Sequence, residues 1–226
     1  MITHSAPLRP RTTLRQEACE LVKRALLRGE IGSGEIISAN ALAADLGISN
    51  SPVREALSDL AGDGLLELVK NRGFRVRTMT IADREEIHAM RSILEVEAMR
   101  LVARRGLSGA EESRARELTE QSVQPLHEGL TGDYLDADHA FHMYLLSLLG
   151  NARLSRSVGL LRDETRICGA FINMPSNELV ACSTEHYDII AAVVAQDEER
   201  TADLMRHHLE FSATRGATRG DAHRAR

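Results

Sequence analysis

The stretch that decides the fold is IISANALAADLGISNSPVREALSDLAGDGLLELVKNRGFRVR, residues 36–77. Ser38 is a good N-cap for a short helix, Ala39 to Leu46, because its hydroxyl can accept from an orphan amide of the first turn. Gly47 suits the left-handed residue that ends such a helix. A second helix begins within SNSPVREALSDLAGDG, capped by Ser49 or Ser51. Pro52 falls in its first turn, where no intrahelical N–H bond is lost. Two short helices joined by about four residues form a helix-turn-helix. The second helix turns Val53, Ala56, Leu57 and Leu60 inward, which leaves Ser49, Asn50, Ser51, Arg54 and Ser58 to face a groove.

The next residues, LLELVK, the turn NRG and FRVR, read as a β-hairpin. Asn71 and Gly73 tolerate positive φ, while Arg72, Arg75 and Arg77 supply positive charge. A helix-turn-helix followed by a basic hairpin is a winged helix, whose second helix reads base edges while the wing tip reaches phosphate or the minor groove. The alternative, a helical hairpin for protein contact, does not account for the basic wing. Upstream, LRQEACELVKRALLRGEI (14–31) carries Leu14, Ala18, Leu21, Val22, Ala25 and Leu26 at helical spacing until GSGE interrupts it.

This part of the chain resembles the DNA-binding signature of the GntR family of bacterial transcription regulators. The likeness is strongest at SPVREAL and at the L..DGLLE....RGF.V pattern that follows. The resemblance implies that Arg54 contacts DNA from the recognition helix and that Arg72 and Gly73 form the wing tip. Asn50 departs from it, since such families usually carry Arg just after the turn serine. A bidentate guanine contact is then lost, and Asn favours adenine.

Composition bounds the rest. The chain has 226 residues, 43% hydrophobic and 3% aromatic, with no Trp. Its wealth of Ala, Leu, Glu and Arg favours helix over sheet. No apolar run approaches the about 20 residues that span a bilayer, and MITHSAPLRPRTTLRQ lacks the apolar core of a signal peptide. Cys19, Cys168 and Cys182 never form C-x-x-C, which argues against a disulfide framework or a thiolate zinc site and for a reducing cytoplasm. The net charge of −5 is uneven: residues 1–78 hold 11 Lys/Arg against 9 Asp/Glu, and residues 79–226 hold 17 against 24. A basic head on an acidic body is compatible with DNA binding by the head alone.

Beyond residue 78 the sequence predicts a mainly α chain: six helices at 83–105, 109–127, 132–149, 151–172, 176–195 and 198–214, each join carrying a breaker such as GLSG or NMPSN. The expected organisation is a disordered tail (1–12), a winged helix-turn-helix (13–78), an all-α domain (79–214) and a second disordered tail (215–226). Arg91 lies on the apolar stripe of the first of these helices, with Ile87, Leu94, Ala98 and Leu101. A guanidinium directed inward needs a partner, either a structural carboxylate such as Glu95 or an anionic ligand. Arg162 borders a similar stripe (Leu154, Val158, Leu161, Thr165).

Asp138 and His142 are four apart, about 40° around a helix, so both can aim at one point. His186 and His208 follow on later helices. Each histidine taken singly reads more readily as a partly buried, hydrogen-bonded residue than as a ligand, and the adjacent His139 and His207 point about 100° away.

The body resembles the FCD domain, the helical effector domain of the FadR branch of GntR regulators, in RSILEVEAMRLVA, DADHAFHMYLLSLLGNARL, EHYDIIAAV and MRHHL. Six helices place it nearer the VanR-type subgroup. The resemblance implies that Asp138, His142, His186 and His208 bind one divalent metal. Three imidazoles and a carboxylate suit Zn, Ni or Mn, with further positions open to water or an effector oxygen. The expected protein is a cytoplasmic, homodimeric regulator on a palindromic double-stranded DNA operator. Its affinity would be modulated by a small carboxylate held by the metal, Arg91 and Arg162. The alternative is a regulator that senses the metal or is merely stabilised by it. A metalloenzyme is disfavoured because no further acid–base residue has convincing spacing near the quartet.

Overall fold

A computed structural model describes residues 11–167, 171 and 174–220. The expected N-terminal tail through residue 10, Cys168 and the last six residues lie outside the described part. The chain divides into two compact units that part between Thr78 and Met79.

The first unit runs α1 (Arg11–Leu27), β1 (Ile36–Ile37), α2 (Ala39–Asp45), α3 (Asn50–Gly62), β2 (Leu66–Val69) and β3 (Gly73–Val76). Ser38 caps α2 by accepting from the Ala41 amide at 3.4 Å. Gly47 follows the helix with φ +63°. Ser49 stands at the N-cap of α3 but makes no capping hydrogen bond, and the Ser51 hydroxyl donates instead to Glu55 at 2.9 Å. Val53, Ala56, Leu57 and Leu60 are buried with Ala18, Val22 and Leu26 of α1, which gives this unit its core. The Arg15 guanidinium closes the α1–α3 face from outside, donating to both oxygens of Asp59.

The wing is a three-stranded antiparallel sheet in the order β1-β3-β2, with Ile37 opposite Phe74 and Leu66 opposite Val76. The two-residue β1 is not visible in the sequence, because so short a run shows no alternation. At the wing turn Asn71 has φ +61° and Gly73 φ +120°. A Cβ on Gly73 would stand 2.3 Å from the Ile37 carbonyl oxygen. Gly73 is therefore required twice, once by its own backbone and once by the approach of β1.

The second unit consists of α4 (Ile81–Arg105), α5 (Gly109–His127), α6 (Thr131–Ser147), α7 (Ala152–Ile167), α8 (Ser176–Val194) and α9 (Glu198–Gly220). The mainly α fold class is as the sequence predicts, and the described residues of this unit form six helices. Capping boxes start α4 (Thr80 with Asp83) and α5 (Ser108 with Glu111). Helix α9 continues to Gly220 rather than ending at 214, since a glycine inside a helix, here Gly216, costs only about 1 kcal/mol and need not break it. The main core joins Val96, Met99 and Val102 of α4 to Phe141 and Leu145 of α6, Ile189, Ile190 and Val193 of α8, and Met205 and Leu209 of α9. Leu101 is not part of it. Over a 25-residue helix the buried stripe drifts, running through Arg91, Glu95, Ala98, Met99 and Val102 and leaving Leu101 outside.

One ion cluster lies within this apolar interior. Glu95 is 1% exposed and divides its oxygens between two guanidiniums. Oε1 accepts from Arg91 Nε at 2.7 Å, and Oε2 accepts from Arg162 Nε at 2.9 Å and also from Nη2. The two arginines, each 5% exposed, thus share one carboxylate and tie α4 to α7. Burial pushes the Glu95 carboxyl up, but Arg162 and Arg91 outweigh it and hold the group below the usual carboxylate range.

Two outcomes follow for stability. Gly73→Ala is expected to cost the first unit on the order of 2 kcal/mol or more in denaturant unfolding of the full chain. Gly47→Ala, with positive φ but nothing within 4 Å of the new Cβ, should cost only about 1 kcal/mol; equal losses would show that the β1 approach is unimportant. Glu95→Gln removes the carboxylate charge that two buried guanidiniums share and should cost about 3–5 kcal/mol at neutral pH. Because the folded-state pKa of Glu95 is depressed, its contribution is present above the unfolded value of about 4.3 and fades as pH falls through the lower folded value. The gap between wild type and Glu95→Gln should therefore narrow in acid unfolding, and a pH-independent gap would contradict this origin.

Candidate functional site

The first unit gathers basic and amide side chains around the wing. Arg54 is exposed on α3, and with Asn40 of α2 and Asn71, Arg72 and Gly73 of the wing it lines a cleft of about 260 Å³. The Asn50 amide donates to Asn40 Oδ1, linking the starts of the two helices of the motif. Asn40 is the residue that sequence reasoning missed here; a second amide ten residues before Asn50 was its only signal. Ser51 lies on the other side of Arg54, in a second depression with Glu55 and Asp59. Ser49 is exposed at the head of the helix. Of the six expected DNA contacts, then, Arg54, Arg72 and Gly73 share one cleft, Ser49 and Asn50 stand at the helix start, and Ser51 is engaged within α3.

In the second unit, α6, α8 and α9 bring Asp138, His142, His186 and His208 together, each offering a ligand atom within 4.8 Å of the others. His142 Nε2 lies 3.1 Å from His208 Nε2. Asp138 Oδ1 lies 3.4 Å from His186 Nε2 and 3.7 Å from His142 Nε2. Donor atoms bound to one ion at about 2.0–2.2 Å stand about 3.0–3.6 Å apart, so these separations nearly match a common centre. The burial is nearly complete: His142 is 2% exposed, His186 0% and His208 5%.

His186 is the most informative of the four. Neither of its ring nitrogens makes a hydrogen bond. Its ring is held by stacking on Phe141, with centroids 4.0 Å apart and planes 19° from parallel. A buried nitrogen without a hydrogen bond costs about 1–3 kcal/mol and calls for an explanation such as an ion. Burial, then His208 and Arg162, keep the His186 imidazole well below its ordinary pKa, and burial and Arg162 do the same for His142. Both rings are therefore neutral and able to present a lone pair. His208 differs, being raised to about 10: burial opposes its charge, but Cys182, Glu185 and Asp138 outweigh it. Its Nδ1 faces Glu185 Oε2 at 2.9 Å, an arrangement that fixes the ring of a metal-ligating histidine.

Beside the quartet is a small cavity of about 20 Å³, room for about one water molecule. Arg91, Tyr134, Asp138, His139, Arg162, Cys182 and His208 are among its walls. Both arginines expected at an anion site do border it, and both are bound by Glu95, the structural carboxylate the sequence offers as one alternative. Arg162 Nη1 also reaches Asp138 Oδ2 at 3.5 Å, which couples the ion cluster to the quartet. His139 lines the cavity although it points away from the His142 side of α6. Cys182, Glu185 and Tyr134 were missed by sequence reasoning, because none belongs to a spacing that signals a ligand. His207 is 73% exposed, as its position beside His208 implies.

Among the described residues no helix is long and apolar enough to cross a membrane. Residues 14–76 match the bacterial regulatory proteins of the gntR family, and residues 86–211 match the FCD domain. The chain is 31% identical over 204 residues to a probable D-xylose utilization operon transcriptional repressor of Paenarthrobacter nicotinovorans, covering 88% of this chain and 87% of the relative. It is 29% identical over 200 residues to the HTH-type transcriptional regulator BphR of Paraburkholderia xenovorans, covering 83% and 78% respectively. The solved structure of Escherichia coli McbR/YncC shares the fold, with a TM-score of 0.79 at 22% identity over 87% of this chain and 93% of that one. These families and relatives are transcription regulators and not enzymes. A GntR-type helix-turn-helix followed by an FCD domain, matched along most of the chain, places the protein in the GntR family of bacterial transcription regulators, in its FCD-containing branch.

Proposed function

We propose that the protein is a homodimeric, metal-containing repressor that binds a palindromic operator and whose DNA affinity responds to a small carboxylate at the metal. The observation that carries the metal reading is His186, buried with two nitrogens lacking hydrogen bonds and aimed among Asp138, His142 and His208. Those four residues would hold a divalent ion such as Zn, Ni or Mn, which would supply Lewis acidity and coordination positions for an anionic oxygen. The role of repressor follows the D-xylose operon relative.

Charge supports the carboxylate. One aspartate and three neutral imidazoles leave a dication with a net +1, and Arg162 adds to the local positive potential. A carboxylate could then join the ion or compete with Glu95 for Arg91 and Arg162. On the surface of α4, Met90, Ile93 and Leu101 are exposed along one face and offer an apolar strip for a second copy. In the head, Arg54 would meet base edges and Arg72 phosphate, while Asn50 would favour adenine.

The cavity favours a second reading. At about 20 Å³ it admits no organic acid without rearrangement, so the metal alone could be the signal, or a purely structural ion. The two readings separate in one titration: operator affinity measured with metal saturating, with and without a panel of small carboxylates. A carboxylate acts only through its different affinity for two states of the protein. A change in affinity supports the first reading; no change, with affinity responding to chelation alone, supports the second.

For the metal itself, His186→Ala should abolish uptake of one Ni2+ per chain by metal-stripped protein, counted by elemental analysis, while far-ultraviolet circular dichroism stays helical. Full Ni2+ uptake in that variant would refute the quartet. For the head, Arg72→Ala should weaken binding to a DNA fragment selected from a random pool about equally across sequences, and should reduce the salt slope of the association constant by about 1. Arg54→Ala should instead relax base preference at one position, at a cost of about 1–3 kcal/mol. A reversed pattern would exchange the two roles.

A further inference from the structure

His208 has a second face. Its Nδ1 lies 3.6 Å from Cys182 Sγ and 2.9 Å from Glu185 Oε2. These three donors converge within 4.8 Å of one another. Cys182 and Glu185 are three residues apart on α8, adjacent on its surface, and His208 comes across from α9. A tetrahedral ion with metal–sulfur of about 2.3 Å and metal–nitrogen of about 2.0–2.1 Å holds the two atoms about 3.6 Å apart, the separation found here. We propose that Cys182, Glu185 and His208 form a second, thiolate-containing cation position, selective for soft divalent ions and exclusive with the quartet.

Exclusivity follows from imidazole chemistry. A neutral ring carries one N–H and one lone pair. His208 can present Nε2 to Asp138, His142 and His186, or Nδ1 to Cys182 and Glu185, but not both without losing its last proton. Occupation of one set therefore withdraws a ligand from the other. The switch is the choice of which ring nitrogen gives up its proton to a cation.

Charge and softness decide which ions go where. The quartet offers one negative charge to a dication, beside Arg162. The second set offers two, a thiolate and a carboxylate, and leaves the ion neutral. Sulfur favours soft ions such as Cd2+, whereas nitrogen and oxygen suit Ni2+ and Mn2+. Access differs too: the Glu185 side chain is 28% exposed, while Cys182 is 4% exposed. This set reaches the surface at its carboxylate and is buried at its sulfur. The Tyr134 hydroxyl, hydrogen-bonded to Cys182, can donate to the thiolate once it forms. Binding releases the thiol proton and the Nδ1 proton of His208 to solvent, and no electrons move.

The test uses the full-length protein, stripped of metal by chelation, kept reduced with a phosphine and titrated with Cd2+. A thiolate-to-cadmium charge-transfer band in the ultraviolet should rise to one equivalent per chain. It should vanish in Cys182→Ser, with apparent Cd2+ affinity down about 100-fold, and persist in Asp138→Asn, which disables only the quartet. Prior loading with Cd2+ should reduce Ni2+ uptake in proportion. Absence of the band, or its survival in Cys182→Ser, overturns the proposal, since the sulfur would then belong to Cys19 or Cys168. Ni2+ titration without cadmium reports on the quartet alone. If wild type takes up no Ni2+ the quartet reading falls, while a Cys182-dependent cadmium band would leave the second position standing.

Discussion

The second unit is organised around one carboxylate shared by two guanidiniums. Glu95 lies inside an apolar bundle with Arg91 on one oxygen and Arg162 on the other. Taking three charges out of water is expensive, and replacing such a cluster with apolar residues is often neutral or stabilising. Its effect here is positional. It clamps α7 to α4 at a fixed register, and through Arg162 it touches Asp138. Asp138 in turn contacts two of the three histidines. The position of the only carboxylate in the quartet therefore depends on an ion cluster whose partners lie on other helices.

The cluster also sets the electrostatics of the quartet. Burial is the main reason the His142 and His186 rings are held well below the ordinary histidine pKa, and Arg162 beside them adds to it. Those two rings are neutral, which a metal ligand must be. The Arg162 guanidinium also opposes a cation, so on the proposed reading the ion is held by ligand geometry against that charge. It would gain from any anion that joins it. This gives a physical reason for a carboxylate effector that does not depend on cavity volume.

Much of this was legible in the sequence, for reasons that differ by element. The winged helix could be read because turn chemistry is local: Ser38, Gly47, Asn71 and Gly73 each declare a backbone conformation. The six helices were legible from breakers at their joins. The convergence of Asp138 with His142 follows from helical period, whereas that of His186 and His208 depended on family resemblance, because nothing local tells which faces of α8 and α9 meet. Glu95 could be named as one candidate partner of Arg91, but its second guanidinium lies 67 residues away. Cys182 and Glu185 carried no signal, since a cysteine three residues before a glutamate resembles any helix surface until α9 is laid against it. Leu101 shows the opposite limit: an apolar residue at the expected period can face outward when a long stripe drifts around its helix.

The placement of His208 bears most directly on regulation. A repressor that responds to a small molecule needs an element with two states of nearly equal free energy. In most proteins this is a hinge or an interface. On the reading proposed here, one imidazole between two donor sets provides two states once a cation displaces one of its protons, and they differ by which nitrogen keeps its N–H. Asp138 belongs to one donor set and Glu185, at Nδ1, to the other, and both favour the protonated ring until a cation takes a nitrogen. An anion arriving at the cavity would act on the Asp138 side, where Arg162 is already shared, and a soft cation would act on the Cys182 side. Both signals would then converge on the same ring, through contacts only one residue deep. Met205 and Leu209 of α9 share one apolar core with Val96 and Met99 of α4, so within this unit a change in that ring would reach α4 through their packing.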